Sequence, residues 1–201
     1  NETPMDDHGH GTHVAGIIAM ENNNVGGVGI AYKSKIMPIK AGGSDGTFNS
    51  TDIAKGIEYA YKNGADVINM SFGSYAHSAL IENALQDAFN SCVLVAAAGN
   101  YGIPTADCPL GGVNIYPAAY SYVIGVMAYD EDNKFASFSN WDYVPNANAE
   151  YEVVAPGVNI YSTLPNGRYA TWNGTSMAAP MVSAEAAILR SSLKDKSTYS
   201  S

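Results

Sequence analysis

An α/β fold, built on a mainly parallel sheet with helices on both faces, is the class this sequence predicts. One observation is the uninterrupted apolar run Val93-Leu94-Val95-Ala96-Ala97, which reads as a strand buried on both sides. A second is that such runs alternate with stretches whose apolar residues recur at helical spacing. A third is that the distinctive motifs sit where strand ends meet helix starts, the place where sites gather in such sheets.

Taken in order, residues 11–20 carry small and apolar side chains at helical spacing. Ser50 is a capping candidate for a helix that sets Ile53, Ile57, Ala60 and Tyr61 on one face, with Gly64 placed to end it. A strand is expected over 66–71. A helix over 78–90 follows, turning Leu80, Ala84, Leu85, Ala88 and Phe89 inward. Strands are expected at 93–97, 122–126 and 152–154, and a last helix begins near Ser176. No internal repeat or low-complexity linker interrupts the chain.

With 201 residues and 46% hydrophobic content, the chain is expected to form one domain over 1–201. No run of eighteen apolar residues is present, so no membrane-crossing helix is expected. A formal charge of −9 argues against nucleic acid, whose phosphates would be repelled. Cys92 and Cys108 lack the close spacing of a zinc site and are expected as free thiols. The opening Asn1-Glu2-Thr3-Pro4 carries no initiator Met or targeting stretch and reads as the cut edge of a longer chain.

Chemistry concentrates in three motifs. His8, His10 and His13 fall within six residues, a pattern open to a general base, a metal site or a helix start. In Asn173-Gly174-Thr175-Ser176-Met177-Ala178-Ala179-Pro180 a serine enters a helix's first turn, where backbone N–H groups favour negative charge. Ser176 there is a nucleophile or a cap, and Pro180 is expected to be tolerated as a first-turn residue. Ala96-Ala97-Ala98-Gly99-Asn100 ends a buried strand with an amide that donates to an oxyanion or closes a turn. Together, a base, a hydroxyl and an oxyanion donor are the parts of acyl transfer.

His10-Gly11-Thr12-His13-Val14-Ala15-Gly16, Ala97-Ala98-Gly99-Asn100 and Gly174-Thr175-Ser176-Met177-Ala178-Ala179-Pro180, in that order, resemble the subtilisin-like serine proteases. Ile36-Met37-Pro38-Ile39-Lys40, the stretch 64–71 and Ala155-Pro156-Gly157-Val158 extend the resemblance over nearly the whole chain. It implies a partial subtilisin-like catalytic domain, truncated at both ends, that hydrolyses polypeptides. His10 would be general base and acid, Ser176 the nucleophile, and Asn100 with the Ser176 N–H the oxyanion hole. His8 and His13 would be local structure.

Substrate would add as an extended strand between Gly46-Thr47-Phe48 and Ser71-Phe72-Gly73. Ile53 and Phe72 would line an apolar pocket, and Ala97, Ala98 and Gly99 a wall of the primary specificity pocket. Ile115, near that pocket's floor, would favour small or medium apolar side chains. The resemblance further implies a structural Ca²⁺ held by the Asn23 side chain and the carbonyls of Glu21, Val25 and Gly27, together with secretion from the cell.

The family's triad aspartate lies on an early strand, roughly thirty residues before the histidine. Here nine residues precede His10, and Asp6 and Asp7 are too near to stand on a separate strand. The expected partner is therefore an N-terminal fragment of the same protease carrying that aspartate. Beyond the last helix, Lys194-Asp195-Lys196-Ser197 is polar where the family has a further helix. The alternative is a non-catalytic peptide-binding or scaffold module of the same fold.

Overall fold

The computed structural model describes residues 4–143 and 149–193, so the polar tail from Lys194 onward lies outside the described residues. Four α-helices are described: α1 (His10–Ala19), α2 (Ser50–Lys62), α3 (Ala79–Phe89) and α4 (Thr175–Ser192). The strands β1 (Val67–Met70), β2 (Val93–Ala97), β3 (Ile124–Tyr129) and β4 (Val153–Pro156) form a parallel sheet in the order β1-β2-β3-β4. Val67 pairs with Val93, Val95 with Ile124 and Val126 with Val153.

Side chains alternate across a strand, and β2 shows what that does here. Leu94 and Ala96 pack with Ile53 and Ile57 of α2 and Leu85 of α3. Val95 and Ala97 turn the other way, onto Ala178 and Ala179 of α4. Both faces of the sheet are therefore covered, as an apolar parallel sheet requires. On the α4 side, α1 sets Val14 and Ile17 against Met177.

Several boundaries differ from the sequence reading. Asn49, not Ser50, caps α2, its side-chain oxygen accepting the Asp52 N–H at 2.8 Å. Leu80 is 49% exposed, because it stands at the edge of the helix face that Ile81, Ala84, Leu85 and Ala88 turn inward. The third strand begins at Ile124, and Tyr122 reaches sideways so that its hydroxyl donates to the Glu82 carbonyl at 3.1 Å. Gly64, at φ 82, follows the end of α2 as expected. Both cysteines are free and buried, and the Cys92 thiol donates to the Ala65 carbonyl at 3.0 Å.

One element escaped the sequence reading altogether. The strands β5 (Ile160–Leu164) and β6 (Arg168–Trp172) make an antiparallel hairpin, closed by Asn166 at φ 64 and Gly167 at φ 68. Positive φ at two successive positions is what an Asn-Gly pair adopts in a tight hairpin. The hairpin packs against α1 so closely that a Cβ on Gly16 would come 2.2 Å from the Thr163 hydroxyl oxygen.

The start of α1 is held from outside the helix. Gly9, at φ 103, has no side chain to cap it. Asp6 takes over, accepting the backbone N–H groups of His8, Gly9 and Thr12 together with the Thr12 hydroxyl. Burial of the Asp6 carboxyl works against its charge, but the Thr12 hydroxyl and the three N–H donors outweigh it and bring its pKa to about 2. A depressed carboxyl stabilises the fold above its unfolded value of 3.8 and loses that contribution as pH falls towards 2. Asp6→Ala should therefore cost about 1 kcal/mol of stability at neutral pH. In chemical denaturation the gap from wild type should narrow steadily below pH 3.8.

Candidate active site

His10 is the first residue of α1, so Asp6 and Gly9 fix where its ring begins. Trp172, the last residue of β6, stacks on His13 at 4.4 Å and lies 6.3 Å from the His10 ring, inclined by 20°. His13 is fully buried, with Nε2 3.1 Å from the Ala170 carbonyl, which only accepts, so that nitrogen carries the proton. His8 is exposed, and its ring lies beside Gly46. Both flanking histidines are thus neighbours of His10. Among the described residues, no group of three His, Cys, Asp or Glu side chains could hold a metal.

Among the described residues no hydrogen bond reaches either ring nitrogen of His10. Burial pushes its pKa below the usual 6.5, and the nearby His8 and His13 push the same way, against a weaker opposing pull from Asp6.

Ser176 stands in the first turn of α4, after Gly174 at φ 153. Its hydroxyl donates to the Ser71 carbonyl at 3.1 Å, and the Ser71 hydroxyl donates back to the Ser176 carbonyl at 2.9 Å. Pro180 corrects the sequence reading. Because α4 begins at Thr175, Pro180 is its sixth residue and lies beyond the first turn. Its missing N–H is the one that the Ser176 carbonyl would take four residues on. The Ser71 hydroxyl supplies that donor instead.

Asn100 follows β2, and Thr175 sets its amide. The Asn100 side-chain oxygen accepts the Thr175 N–H at 2.8 Å and the Thr175 hydroxyl at 2.9 Å. Both bonds require oxygen on that side, which leaves Nδ2 as the free donor. His10, Asn100, Ser176 and Met177 line one cavity of about 370 Å³ with Thr171, Trp172 and Asn173. Base, hydroxyl and amide donor are brought together. Trp172 and Thr171 were missed with their hairpin, although Asn166-Gly167 between two β-rich runs was a readable signal.

The flanking segments converge as well. Phe48 stacks on Phe72 at 5.0 Å, which joins the turn at Gly46-Thr47-Phe48 to Ser71-Phe72-Gly73. Ile53 is buried in the core, with Phe72 packed against the same cluster. Ala97 and Ala98 are buried, and Gly99 donates its N–H to the Thr175 hydroxyl at 3.1 Å. Ile115 is 1% exposed and fills the space between the two walls. A Cβ would come 2.5 Å from its methyl Cγ2 at Gly73 and 3.2 Å from its Cγ1 at Gly99.

Residues 21–27 form an exposed loop after α1. The Asn23 side-chain oxygen accepts the Val25 N–H at 3.0 Å, and the Asn23 N–H donates to the Glu21 carbonyl at 3.1 Å. These oxygens, with the carbonyls of Val25 and Gly27, suit a hard cation in kind. Calcium takes six to eight such ligands, more than this loop provides.

The sign of the His10 shift is testable. A histidine with a depressed pKa stays neutral to lower pH, and a carboxylate placed at its free nitrogen would raise the value again. In NMR titration of the folded chain the His10 midpoint should lie below 6.5. Supplying an aspartate partner should move it upward.

The model of the subtilase family matches residues 1–200. Similar proteins include a thermophilic serine proteinase of Bacillus sp. (strain AK1), 45% identical over 94% of this chain and 44% of its own length. Subtilisin DY of Bacillus licheniformis is 44% identical over 92% of this chain and 65% of its own. The crystal structure of a cold adapted subtilisin-like serine proteinase superposes with a TM-score of 0.77 at 30% identity, over 93% of this chain and 63% of that one. The chain thus spans between about two fifths and two thirds of these relatives' lengths. It belongs to the subtilase family.

Proposed function

We propose that this chain is the larger part of the catalytic domain of a serine endopeptidase acting on polypeptides. The observation that carries the reading is the convergence of His10, Ser176 and Asn100 on one cavity. In the reaction the Ser176 hydroxyl leaves the Ser71 carbonyl, His10 takes its proton, and Oγ attacks the scissile carbonyl. Asn100 Nδ2 and the Ser176 N–H receive the oxyanion. Protonated His10 then hands its proton to the leaving amine, and water releases the acyl group by the reverse sequence. Substrate lies extended between 46–48 and 71–73, and Ile115 favours small or medium apolar side chains beside the scissile bond.

A carboxylate from an N-terminal segment of the same protease completes the site. The ring nitrogens of His10, which carry no hydrogen bond among the described residues, support this, as does the open edge of the sheet at β1 among the described residues. The partly exposed Ile36, Met37 and Ile39 give further support, because such an apolar surface is ordinarily covered. We infer secretion as well, a reading that membership of the subtilase family supports. Among the described residues, no helix is long and apolar enough to cross a membrane.

Three preparations test the reading: residues 1–201 alone, the same chain with a segment bearing an Asp-Ser/Thr-Gly strand, and that pair with its aspartate changed to alanine. Peptidase activity and fluorophosphonate labelling of Ser176 should appear only in the second. The third should fall by about 10⁴-fold, the size of loss known for subtilisin itself. A complete pair that binds peptide but leaves Ser176 unlabelled would identify a binding module instead.

The 21–27 loop would bind calcium with further ligands from the same upstream segment. A ligand that binds only the folded state raises apparent stability. Chelation should therefore lower the Tm of the complete protein, and excess calcium should restore it. Identical melting curves would remove the site.

A further inference from the structure

Behind Ser176 lies a set of polar side chains that acyl transfer does not use. Ser183 stands seven residues after Ser176 on α4, two turns along, so both face the same way. That face meets β1. Ser183 is 2% exposed, and its hydroxyl donates to the Asn69 side-chain oxygen at 2.8 Å. The Asn69 amide nitrogen donates to the Ser71 hydroxyl oxygen at 3.0 Å. The Ser71 hydroxyl, 8% exposed, donates to the Ser176 carbonyl at 2.9 Å. Every proton in this chain points the same way and ends on the nucleophile's own peptide group.

The direction is imposed chemically. The carbonyl of Ser176 can only accept, so Ser71 must donate to it. Ser71 then has only lone pairs to offer Asn69, which fixes the amide with nitrogen towards Ser71 and oxygen towards Ser183. Among the described residues Ser183 alone supplies a proton to that oxygen. The end of the chain is the carbonyl whose i+4 partner Pro180 removes, and the Ser71 hydroxyl takes that donor's place. Aligned hydrogen bonds of this kind polarise and stiffen one another.

We propose that Ser183, through Asn69 and Ser71, is a positioning residue that holds the Ser176 carbonyl, and through it the Cα that carries the hydroxyl and the oxyanion-binding N–H, in reactive register. The proposal rests on Ser176 being the nucleophile. Ser183→Ala removes the proton that fixes Asn69 without enlarging a helix residue, so its cost should fall on orientation rather than on folding. Misplacement of a reacting group lowers the chemical step more than ground-state binding.

The experiment measures kcat and KM separately in the complete protease, with its upstream segment, for wild type, Ser183→Ala, Ser183→Thr and Ser176→Ala. Ser183→Ala should lower kcat about tenfold with KM unchanged within about twofold. Ser183→Thr, which keeps the donor, should recover most of the rate. The rate of fluorophosphonate labelling should follow kcat across the series. A kcat for Ser183→Ala within about twofold of wild type would overturn the proposal, as would an equal loss in Ser183→Thr. Should Ser183→Ala fold too poorly to assay, Ser71→Ala measures the last link by the same split, with the same outcomes deciding. Full activity in Ser176→Ala would instead refute the nucleophile assignment on which the relay depends.

Discussion

The junction between the first turn of α4 and the carboxyl ends of β1 and β2 is the constraint on which the site depends. Gly174 gives the helix no side-chain cap of its own, and the caps come from across the fold. Asn100 takes the Thr175 N–H, the Thr175 hydroxyl takes the Gly99 N–H, and Ser71 and Ser176 exchange hydroxyl and carbonyl. One side chain, Asn100, thereby closes a helix end and aims an amide donor into the cavity. Stability and reactivity meet in the same few bonds, so a change at either residue is felt in both.

The sheet supplies the rigidity that such a junction requires. β2 is buried on both faces, and the small side chains of Ala96, Ala97 and Ala98 let helices approach it from either side. A bulkier residue at Ala97 would push α4 outward and carry Ser176 away from Asn100. The second wall is pinned just as firmly. Asn140 donates to the Ala98 carbonyl at 3.0 Å and accepts the Tyr101 N–H at 2.9 Å, which fixes the backbone on either side of Gly99 and Asn100.

Much of this was legible in the sequence. The run at 93–97 was read as β2 with its bounds intact, because a strand buried on both faces needs every residue apolar. The three motifs named the residues that meet in the cavity, since small side chains around His10, Asn100 and Ser176 permit close backbone approach. What sequence pattern did not reveal was set by distant partners. Trp172 meets His10 only because an Asn-Gly turn folds β6 back against α1, and periodicity says nothing about where a hairpin lands. Pro180 was misplaced by counting turns from Ser176 rather than from Thr175, and its compensation by Ser71 comes from another element. Leu80 looked inward on the helical wheel but stands at the edge of the face that Ile81, Leu85 and Ala88 centre.

The contact between α1 and the hairpin has a consequence for the order in which the molecule is made. The Ser162 hydroxyl bonds the His13 carbonyl at 2.7 Å across 149 residues, and the His13 ring finds its carbonyl partner across 157. Contacts of such long range impose a large loop-closure cost and slow the search for the native topology. During synthesis α1 emerges early and has neither its hairpin nor α4 to pack on until nearly the whole chain has followed. The helix bearing the candidate base His10 is thus translated well before the elements that secure it. A half-made chain holds its histidine and its serine in separate, unassembled pieces.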